Sequence, residues 1–461
     1  MSLSPEITLE QTGVEAARDL RARLAEYVAR LSKGTTPGYA RFAAKIRQVD
    51  PLEWLESQEV IAKYYWRDRE GTSERAGLLL PRFGLELPTA TSGILRGCVD
   101  HAEGDDSLSA ALSIRGFNSF PFVAGLHVGQ PPIAPQFSFL LPDIELITVG
   151  GETWLTCLLQ NSGEHEILSL GLAELVWDEN IAASSFRMAE RDEAQSRLQW
   201  AIAVNRAVAG IARGELEKVV LARKSTCRFA APVSPWSLLK LLRTANPHAY
   251  IFGLDRKPFD PFIGASPEQL YRRVGRLIET EAVAGTRPRG KTTAEDDRYR
   301  DDLLHSSKDR REHELVVTGI AESLRPLVEK IDIQSDPNIV QLTNVQHLVV
   351  KISATLKPGI SDDEILRALQ PTPAVGGYPK QVAIDLIQSL EPFYRGPYAG
   401  PIGWISNDSA EFAVGIRSAT IRENALTLYA GAGIVEGSDP DAEWDEIDQK
   451  FNTFTSIFTD K

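Results

Sequence analysis

The segment Phe412-Ala-Val-Gly-Ile-Arg-Ser-Ala-Thr-Ile-Arg-Glu-Asn-Ala-Leu-Thr-Leu-Tyr429 combines a strand pattern with a hairpin signal. Phe412, Val414 and Ile416 alternate with small or polar residues, which is the two-residue period of a β-strand. The turn at 422–424 and the apolar run after it predict a β-hairpin. Between residues 60 and 180, further short apolar segments are separated by Gly and Pro, at 93–97, 137–142 and 153–156. These patterns predict an α+β fold with large antiparallel sheets.

Three segments show helical periodicity instead. The first 35 residues repeat leucine and valine at helical spacing, and a second helix is predicted over 190–212, ending at Gly214. A polar loop at 286–297 is followed by a long helix predicted over 298–327. Composition does not shift near residue 195, so we expect a seam within one body there rather than a flexible linker.

Composition excludes several classes of protein. Of 461 residues, 43% are hydrophobic and 25% charged, as in ordinary globular proteins, and no apolar run is long enough for a membrane helix. The net charge of −13 disfavours nucleic acid, and an anionic substrate would need a cationic pocket or a bound metal. Three scattered cysteines and the absence of a signal-peptide pattern indicate a cytoplasmic protein.

Two pairs of carboxylates have a spacing that places both members on one helix face. Asp309 and Glu312 are three residues apart, as are Glu443 and Glu446 near the C-terminus. Two such pairs together could bind a hard cation such as Mg²⁺. Taken alone, each pair is more typical of a solvated helix face.

Glycine-rich runs and one arginine are candidates for anion binding. The runs at 284–290 and 430–434 follow predicted strands, and their backbone N–H groups could cradle a carboxylate, although such runs are more often turns. Arg417 is predicted to share a strand face with Ala413, Gly415 and Ala419, which would leave room for a ligand beside the guanidinium. An interior salt bridge is the alternative.

A lysine and a glutamate are candidates for proton transfer. Lys218 begins the apolar strand Lys218-Val-Val-Leu-Ala-Arg-Lys224, where burial would favour a neutral amine that can act as a base. Glu268 follows an apolar stretch, which would keep its carboxyl group protonated as an acid. The alternatives are an extended surface lysine and a glutamate at a helix N-terminus.

Six ordered motifs over residues 196–455 resemble those of the chorismate-utilising enzymes, which include the isochorismate, salicylate, anthranilate and aminodeoxychorismate synthases. The motifs are Lys218-Val-Val-Leu-Ala-Arg223, Gly264-Ala-Ser-Pro-Glu268, Thr280-Glu-Ala-Val-Ala-Gly-Thr-Arg-Pro-Arg-Gly290, Ser307-Lys-Asp-Arg-Arg-Glu-His313, Pro371-Thr-Pro-Ala-Val-Gly-Gly377, and Gly431-Ala-Gly-Ile-Val-Glu-Gly437 with Glu443-Trp-Asp-Glu446. We therefore expect 196–455 to be the catalytic region and 1–195 an N-terminal α+β part of the same body. That part matches loosely, mainly through Tyr64-Tyr-Trp66 and its overall length, and 124–128 departs from the family pattern.

The resemblance implies a Mg²⁺-dependent site that binds chorismate. Glu312 and Glu446 would be metal ligands, supported by Glu443 and Asp309. The residues expected to bind the substrate are Gly285, Thr286, His347, Tyr398, Arg417, Gly431, Gly433 and Lys450. Mg²⁺ with the cationic side chains would let a dianionic substrate enter an acidic protein.

Within that family, Lys218 resembles the lysine of the members that activate water to attack ring C2. The glutamate that matches Glu268 protonates the departing C4 hydroxyl. Ala284 replaces the nucleophilic lysine frequent in aminodeoxychorismate synthases, so the expected product is isochorismate, for menaquinone or siderophore synthesis, without an obligatory amidotransferase. Salicylate formation, an amidotransferase-dependent subunit and a non-enzymatic binding protein are the alternatives. Gln370 stands where relatives usually carry histidine, which could alter the pocket wall or be neutral.

Overall fold

The computed structural model describes residues 11–30, 39–60, 62–80, 89–90, 113–122, 139–159, 164–177, 186–257, 260–341 and 345–458. The strand expected at 93–97, the departure at 124–128 and Cys98 lie outside these ranges. Within them, no helix has both the length and the apolar composition needed to cross a bilayer.

The helices are α1 (Gly13–Arg30), α2 (Pro51–Ser57), α3 (His165–Ala173), α4 (Arg197–Ala212), α5 (Pro235–Ala245), α6 (Thr293–His305), α7 (Ser307–Leu324), α8 (Asp362–Leu369), α9 (Lys380–Leu390) and α10 (Pro440–Phe458). The strands are β1 (Ala40–Ile46), β2 (Ala62–Arg67), β3 (Ser73–Leu79), β4 (Thr89–Ala90), β5 (Gly116–Ser119), β6 (Phe139–Leu140), β7 (Ile144–Val149), β8 (Glu152–Leu159), β9 (Met188–Glu193), β10 (Lys218–Phe229), β11 (Tyr250–Arg256), β12 (Phe262–Ser266), β13 (Gln269–Val274), β14 (Leu277–Pro288), β15 (Val328–Ile333), β16 (Asn338–Gln341), β17 (Val345–Leu356), β18 (Gly377–Tyr378), β19 (Pro401–Ile405), β20 (Ser409–Val414), β21 (Ser418–Arg422) and β22 (Ala425–Ile434).

The described strands form two antiparallel sheets, which confirms the predicted α+β class. The first has the order β1-β8-β7-β3-β2-β11-β12-β21-β22-β10-β18, with β9 also paired to β10. The second has the order β15-β17-β14-β13-β20-β19-β5-β6-β4, with β16 paired to β17. Strands from both sides of residue 195 share each sheet, and the division of the chain at that residue stays a prediction.

The chain crosses between the two sheets several times, and two of these crossings are adjacent. One crossing, at 267–268, joins β12 to β13, and the other, at 415–417, joins β20 to β21. The Val414 N–H donates to the Glu268 carbonyl at 3.1 Å, and the Ala265 N–H donates to the Arg417 carbonyl at 3.0 Å. These bonds satisfy backbone groups that leave the sheet ladders, and they hold the two crossings side by side.

Two predicted helices have different bounds. The segment expected as one helix over 298–327 is two helices, α6 and α7, because Ser306 ends α6 and its side chain caps α7 by accepting from the Asp309 N–H. The helix expected from residue 190 begins at Arg197, after a capping box between Ser196 and Gln199. Residues 188–193 instead form β9, an edge strand against β10. The hairpin at 422–424 is confirmed.

Candidate active site

A cavity of about 270 Å³ is lined by these two adjacent crossings, four strands and two helices. All fourteen residues predicted for the site line it, on β10, β14, β17 and β22, on helices α7 and α10, and near the crossings: Lys218, Glu268, Gly285, Thr286, Asp309, Glu312, His347, Tyr398, Arg417, Gly431, Gly433, Glu443, Glu446 and Lys450. The fold therefore brings together residues up to 232 positions apart, between Lys218 and Lys450. Their individual roles stay predictions.

Glu268 lies in the first crossing, not at a helix N-terminus as the alternative assumed. Its residue is 6% exposed. Burial raises its pKa to about 8, and the nearby Glu281 carboxylate adds to this rise, while Lys218 and Lys450 oppose it. Because the carboxyl group is protonated at neutral pH, it can donate a proton to a ligand in the cavity.

Lys218 begins β10 as predicted and is 1% exposed, so it is not an extended surface lysine. Its Nζ lies 3.0 Å from Glu312 Oε1. A Cβ atom added at Gly433 would collide with the same carboxylate oxygen, so glycine on β22 is what lets Glu312 approach the strand so closely. The expectation of a neutral Lys218 amine stays a prediction.

The second carboxylate pair lies on α10, facing α7. Glu443 is 3% exposed and its Oε1 lies 3.2 Å from Lys308 Nζ, while Glu446 pairs with Lys450 at 2.7 Å. Burial raises the pKa of Glu443, and the neighbouring Glu446 adds to the rise. Although burial acts against it, the Lys308 pKa is raised by Glu443, Glu312 and Glu446. Three carboxylates thus act on a single ammonium group.

These carboxylates fit a divalent cation by their chemistry. Glu312, Glu443 and Glu446 offer only oxygen donors, which Mg²⁺ prefers, and their shared negative field already attracts the Lys308 ammonium. In the part of the chain that the structure describes, no three His, Cys, Asp or Glu side chains are arranged closely enough to hold a metal ion together. A bound cation would therefore require these side chains to move from their lysine partners. Mg²⁺ binding stays a prediction.

Asp309 stands apart from the three glutamates in its contacts. Its Oδ2 accepts from Arg287 Nη2 at 2.8 Å, and Arg287 also bonds Asp302 at 2.6 Å.

Gly285 forms a bulge in β14 with φ of 72°, a conformation that favours glycine. His347 on the neighbouring β17 places Nδ1 3.1 Å from Thr286 Oγ1 and 3.1 Å from the Gly285 carbonyl. Burial, then Arg417, lowers the pKa of His347 to about 4, so its ring is neutral.

Arg417 lies in the second crossing, and the predicted strand placement is wrong. β20 ends at Val414, and Arg417 has φ of 48°, because the chain turns there into the other sheet. Its Nη1 donates to the Lys450 carbonyl at 3.0 Å. Burial lowers its pKa to about 10, against the raising effect of Tyr398 and Glu446.

Tyr398 stacks on Tyr429 with ring centroids 5.3 Å apart, and burial raises the pKa of the Tyr398 hydroxyl.

The predictions missed some residues of the cavity, and of the two possibilities for Gln370 the structure favours the neutral one. Arg287 and Lys308 line the cavity and were quoted only as parts of motifs. Gln370 caps the end of α8, and its Nε2 donates to the carbonyls of Pro121 and Phe122. It does not line this cavity, so an altered pocket wall is not its direct effect.

The chain is similar to known proteins over most of its length. A family model described as chorismate binding enzyme matches residues 26–459. Isochorismate synthase MenF of Escherichia coli is 34% identical over 407 residues, covering 87% of this chain and 89% of the relative. MenF of Haemophilus influenzae is 30% identical over 452 residues, covering 97% of each. The solved structure of E. coli MenF, the menaquinone-specific isochorismate synthase, matches with a TM-score of 0.79 and 31% identity, over 95% of this chain and 100% of that one.

Proposed function

Because the chain belongs to the family of chorismate-binding enzymes, we propose that it is an isochorismate synthase that converts chorismate to isochorismate. The main support from the chain's own residues is a pair of titratable groups that line one cavity. The buried Lys218 and Glu268, whose pKa is raised to about 8, line the same cavity, so a candidate base and a proton donor can contact one ligand.

The two groups suit the two halves of the reaction. Lys218 takes a proton from water as the water oxygen forms its bond to ring C2. Glu268 gives its proton to the C4 hydroxyl group, which leaves as water while the ring double bonds shift. One water enters and one leaves, so substrate and product are isomers, and the proton gained by Lys218 returns to Glu268 before the next turnover.

The remaining lining groups suit the two carboxylates of chorismate. The Arg417 guanidinium and the Lys450 ammonium provide positive charge on one side of the cavity, and Gly431 and Gly433 leave backbone N–H groups without side-chain cover. The Tyr398 hydroxyl keeps its proton and can donate a hydrogen bond. These groups would bind and orient the enolpyruvyl carboxylate.

We propose that Mg²⁺ is held by Glu312, Glu443 and Glu446, with Asp309 as a more distant support. When bound, the cation would neutralise the ring carboxylate of the substrate. We also propose a cytoplasmic location, a role in menaquinone supply like that named for the E. coli relative or else in siderophore supply, and activity without an amidotransferase.

A product assay tests this proposal. The protein is incubated with chorismate and Mg²⁺, with and without ammonia, and the products are resolved by NMR. Isochorismate as sole product in both conditions is expected. Salicylate with pyruvate would move the protein to the salicylate synthases, and an aminated product would overturn the role of Lys218. No turnover without an added partner would favour the dependent-subunit alternative.

A further inference from the structure

A salt bridge behind the cavity contacts the backbone on both sides of Glu268. Arg69 Nη1 donates to the carbonyl of Pro267, the residue before Glu268, at 3.2 Å. The same nitrogen lies 2.5 Å from Glu281 Oε1. That carboxylate oxygen accepts from the N–H of Gln269, the residue after Glu268, at 3.0 Å. The ion pair therefore contacts the backbone immediately before and immediately after Glu268, the proposed acid.

Arg69 and Glu281 come from distant parts of the chain. Arg69 lies in the turn between β2 and β3, in the N-terminal part, whereas Glu281 lies on β14. The side chain of Glu281 is 7% exposed and that of Arg69 is 24% exposed. Arg69 also lies over the Tyr250 ring, 5.6 Å from its centroid, and the Tyr250 hydroxyl donates to Gln269 Oε1 at 3.0 Å. Neither Arg69 nor Glu281 lines the cavity.

We propose that Arg69 and Glu281 form a positioning pair that fixes the backbone on both sides of Glu268 and places a negative charge behind its carboxyl group. The proposal rests on the proposed role of Glu268 as proton donor. It gives the N-terminal hairpin a defined part in a reaction whose acid and base both lie in the C-terminal region.

The two members of the pair act on Glu268 in opposite directions. Glu281 is a like charge that disfavours the Glu268 carboxylate and so raises its pKa, whereas Arg69 neutralises Glu281 and weakens that effect. The other charged or titratable groups that face Glu268 are Lys218 from β10, Lys450 from α10 and the Tyr398 hydroxyl. Substitution of Arg69 or Glu281 leaves those three groups in place.

The pH dependence of kcat/KM tests the pair. Glu281→Gln removes the like charge, so the alkaline limb of the kcat/KM profile, where activity is lost, should move to a pH lower by about one unit. Between pH 6 and pH 8 the kcat/KM of this variant should fall roughly tenfold, against roughly twofold for the wild type. Arg69→Gln leaves Glu281 uncompensated, so the limb should move up by about one unit. Arg69→Lys keeps the charge and should restore most of the wild-type profile. Shifts in the same direction in both Gln variants, or no shift in either, would overturn the proposal.

Arg243→Gln is the matched control. Arg243 is 16% exposed and bridges helix α5 to Glu74 on β3 at 3.0 Å, and Glu74 also accepts from a tyrosine, Tyr65. Its loss should lower stability without moving the pH profile, because it is not in contact with the crossing at Glu268. A shift as large as that of the Arg69 variant would mean that any lost ion pair perturbs the profile, and would overturn the specific role.

A second measurement separates this inference from the proposed function. The ionisation of Glu268 is followed without substrate by carbonyl infrared difference spectra, with Glu268→Gln identifying the band. Opposite pKa shifts in the Arg69 and Glu281 variants would support the pair even if the protein made no isochorismate. Isochorismate formation together with an unmoved Glu268 band would refute the pair and leave the function intact. If one Gln variant fails to fold, the other is compared by the same spectra with its charge-conserving variant, Arg69→Lys or Glu281→Asp, and a Glu268 band that titrates at the same pH in both refutes the pair.

Discussion

Replacing Glu268 with glutamine should remove activity and, at neutral pH, remove a source of instability. The Glu268 residue is 6% exposed and its pKa is about 8, against an ordinary value of 4.5. Between these two pH values the folded protein keeps a proton that the unfolded chain has released. The wild-type protein therefore loses stability through this group as the pH rises from 4.5 to 8, and the amide of the variant does not titrate.

The size of this effect follows from the width of the window. When the folded protein binds one more proton than the unfolded chain, the unfolding free energy falls by about 1.4 kcal/mol for each pH unit. Between pH 5 and pH 7 the unfolding free energy of Glu268→Gln should therefore rise relative to wild type by about 2.5 kcal/mol. At each pH in this range the kcat of Glu268→Gln should be roughly 10²–10⁴-fold lower than that of the wild type, because the variant lacks the proton donor.

Urea unfolding of both proteins at pH 5, 6, 7 and 8 measures the difference directly. Comparing variant with wild type cancels the titration of the other groups that both proteins share. Glu279→Gln, a solvent-exposed carboxylate on β14, controls for the substitution itself. A difference between wild type and Glu268→Gln that stays constant from pH 5 to pH 8 would refute the claim that Glu268 keeps its proton in the folded protein. Activity within twofold of wild type would refute its role as the acid.

Other substitutions test the remaining roles. Lys218→Met should lower kcat by about 10²–10⁴-fold while calorimetry still detects chorismate binding, and a fully active variant would exclude Lys218 as the base. Glu446→Gln should weaken Mg²⁺ binding at least about tenfold by calorimetry, whereas Asp445→Asn next to it should not; equal affinities would place the metal elsewhere. Arg417→Lys keeps the charge but loses the paired donors, so KM for chorismate should rise about tenfold with kcat nearly unchanged, and an unchanged KM would contradict its role in binding.

Local patterns in the sequence were sufficient to predict some elements and the two carboxylate pairs. The hairpin at 422–424 and the start of β10 at Lys218 follow from alternation and turn residues. The spacing of Glu443 and Glu446 does place both on one helix, and both line the cavity. Spacing within a helix, however, carries no information about which distant helix it faces, so only the family resemblance brought α7 and α10 together.

Errors arose where a capping or tertiary contact decides the structure. The break between α6 and α7 depends on one serine, Ser306, and the pattern Ser306-x-x-Asp309 is a capping signal that could have predicted it. Four of the six residues at 188–193 are charged and most are exposed, and the segment forms a strand because β10 offers a free edge. Arg417 looked like a strand residue because apolar alternation continues to Ile416, beyond the point where β20 ends.

Contacts between distant segments were beyond prediction from one sequence. The pairing of Arg69 with Glu281 joins residues 212 positions apart. Gln370 lies next to a family motif, yet its side chain bonds backbone carbonyls 248 and 249 residues away. The partners of Arg69 and Gln370 are set by tertiary packing, which leaves no local pattern in the sequence.

The origin of the oxygen at C2 of the product distinguishes attack by water from movement of the substrate's own hydroxyl group. Chorismate is converted with Mg²⁺ in H₂¹⁸O, and the product is examined by mass spectrometry and NMR. We expect isochorismate with one ¹⁸O atom, located in the C2 hydroxyl group, and its formation should be about 10²–10⁴-fold slower with Lys218→Met. Unlabelled isochorismate would mean that the hydroxyl group moves within the substrate, and would contradict water activation by Lys218.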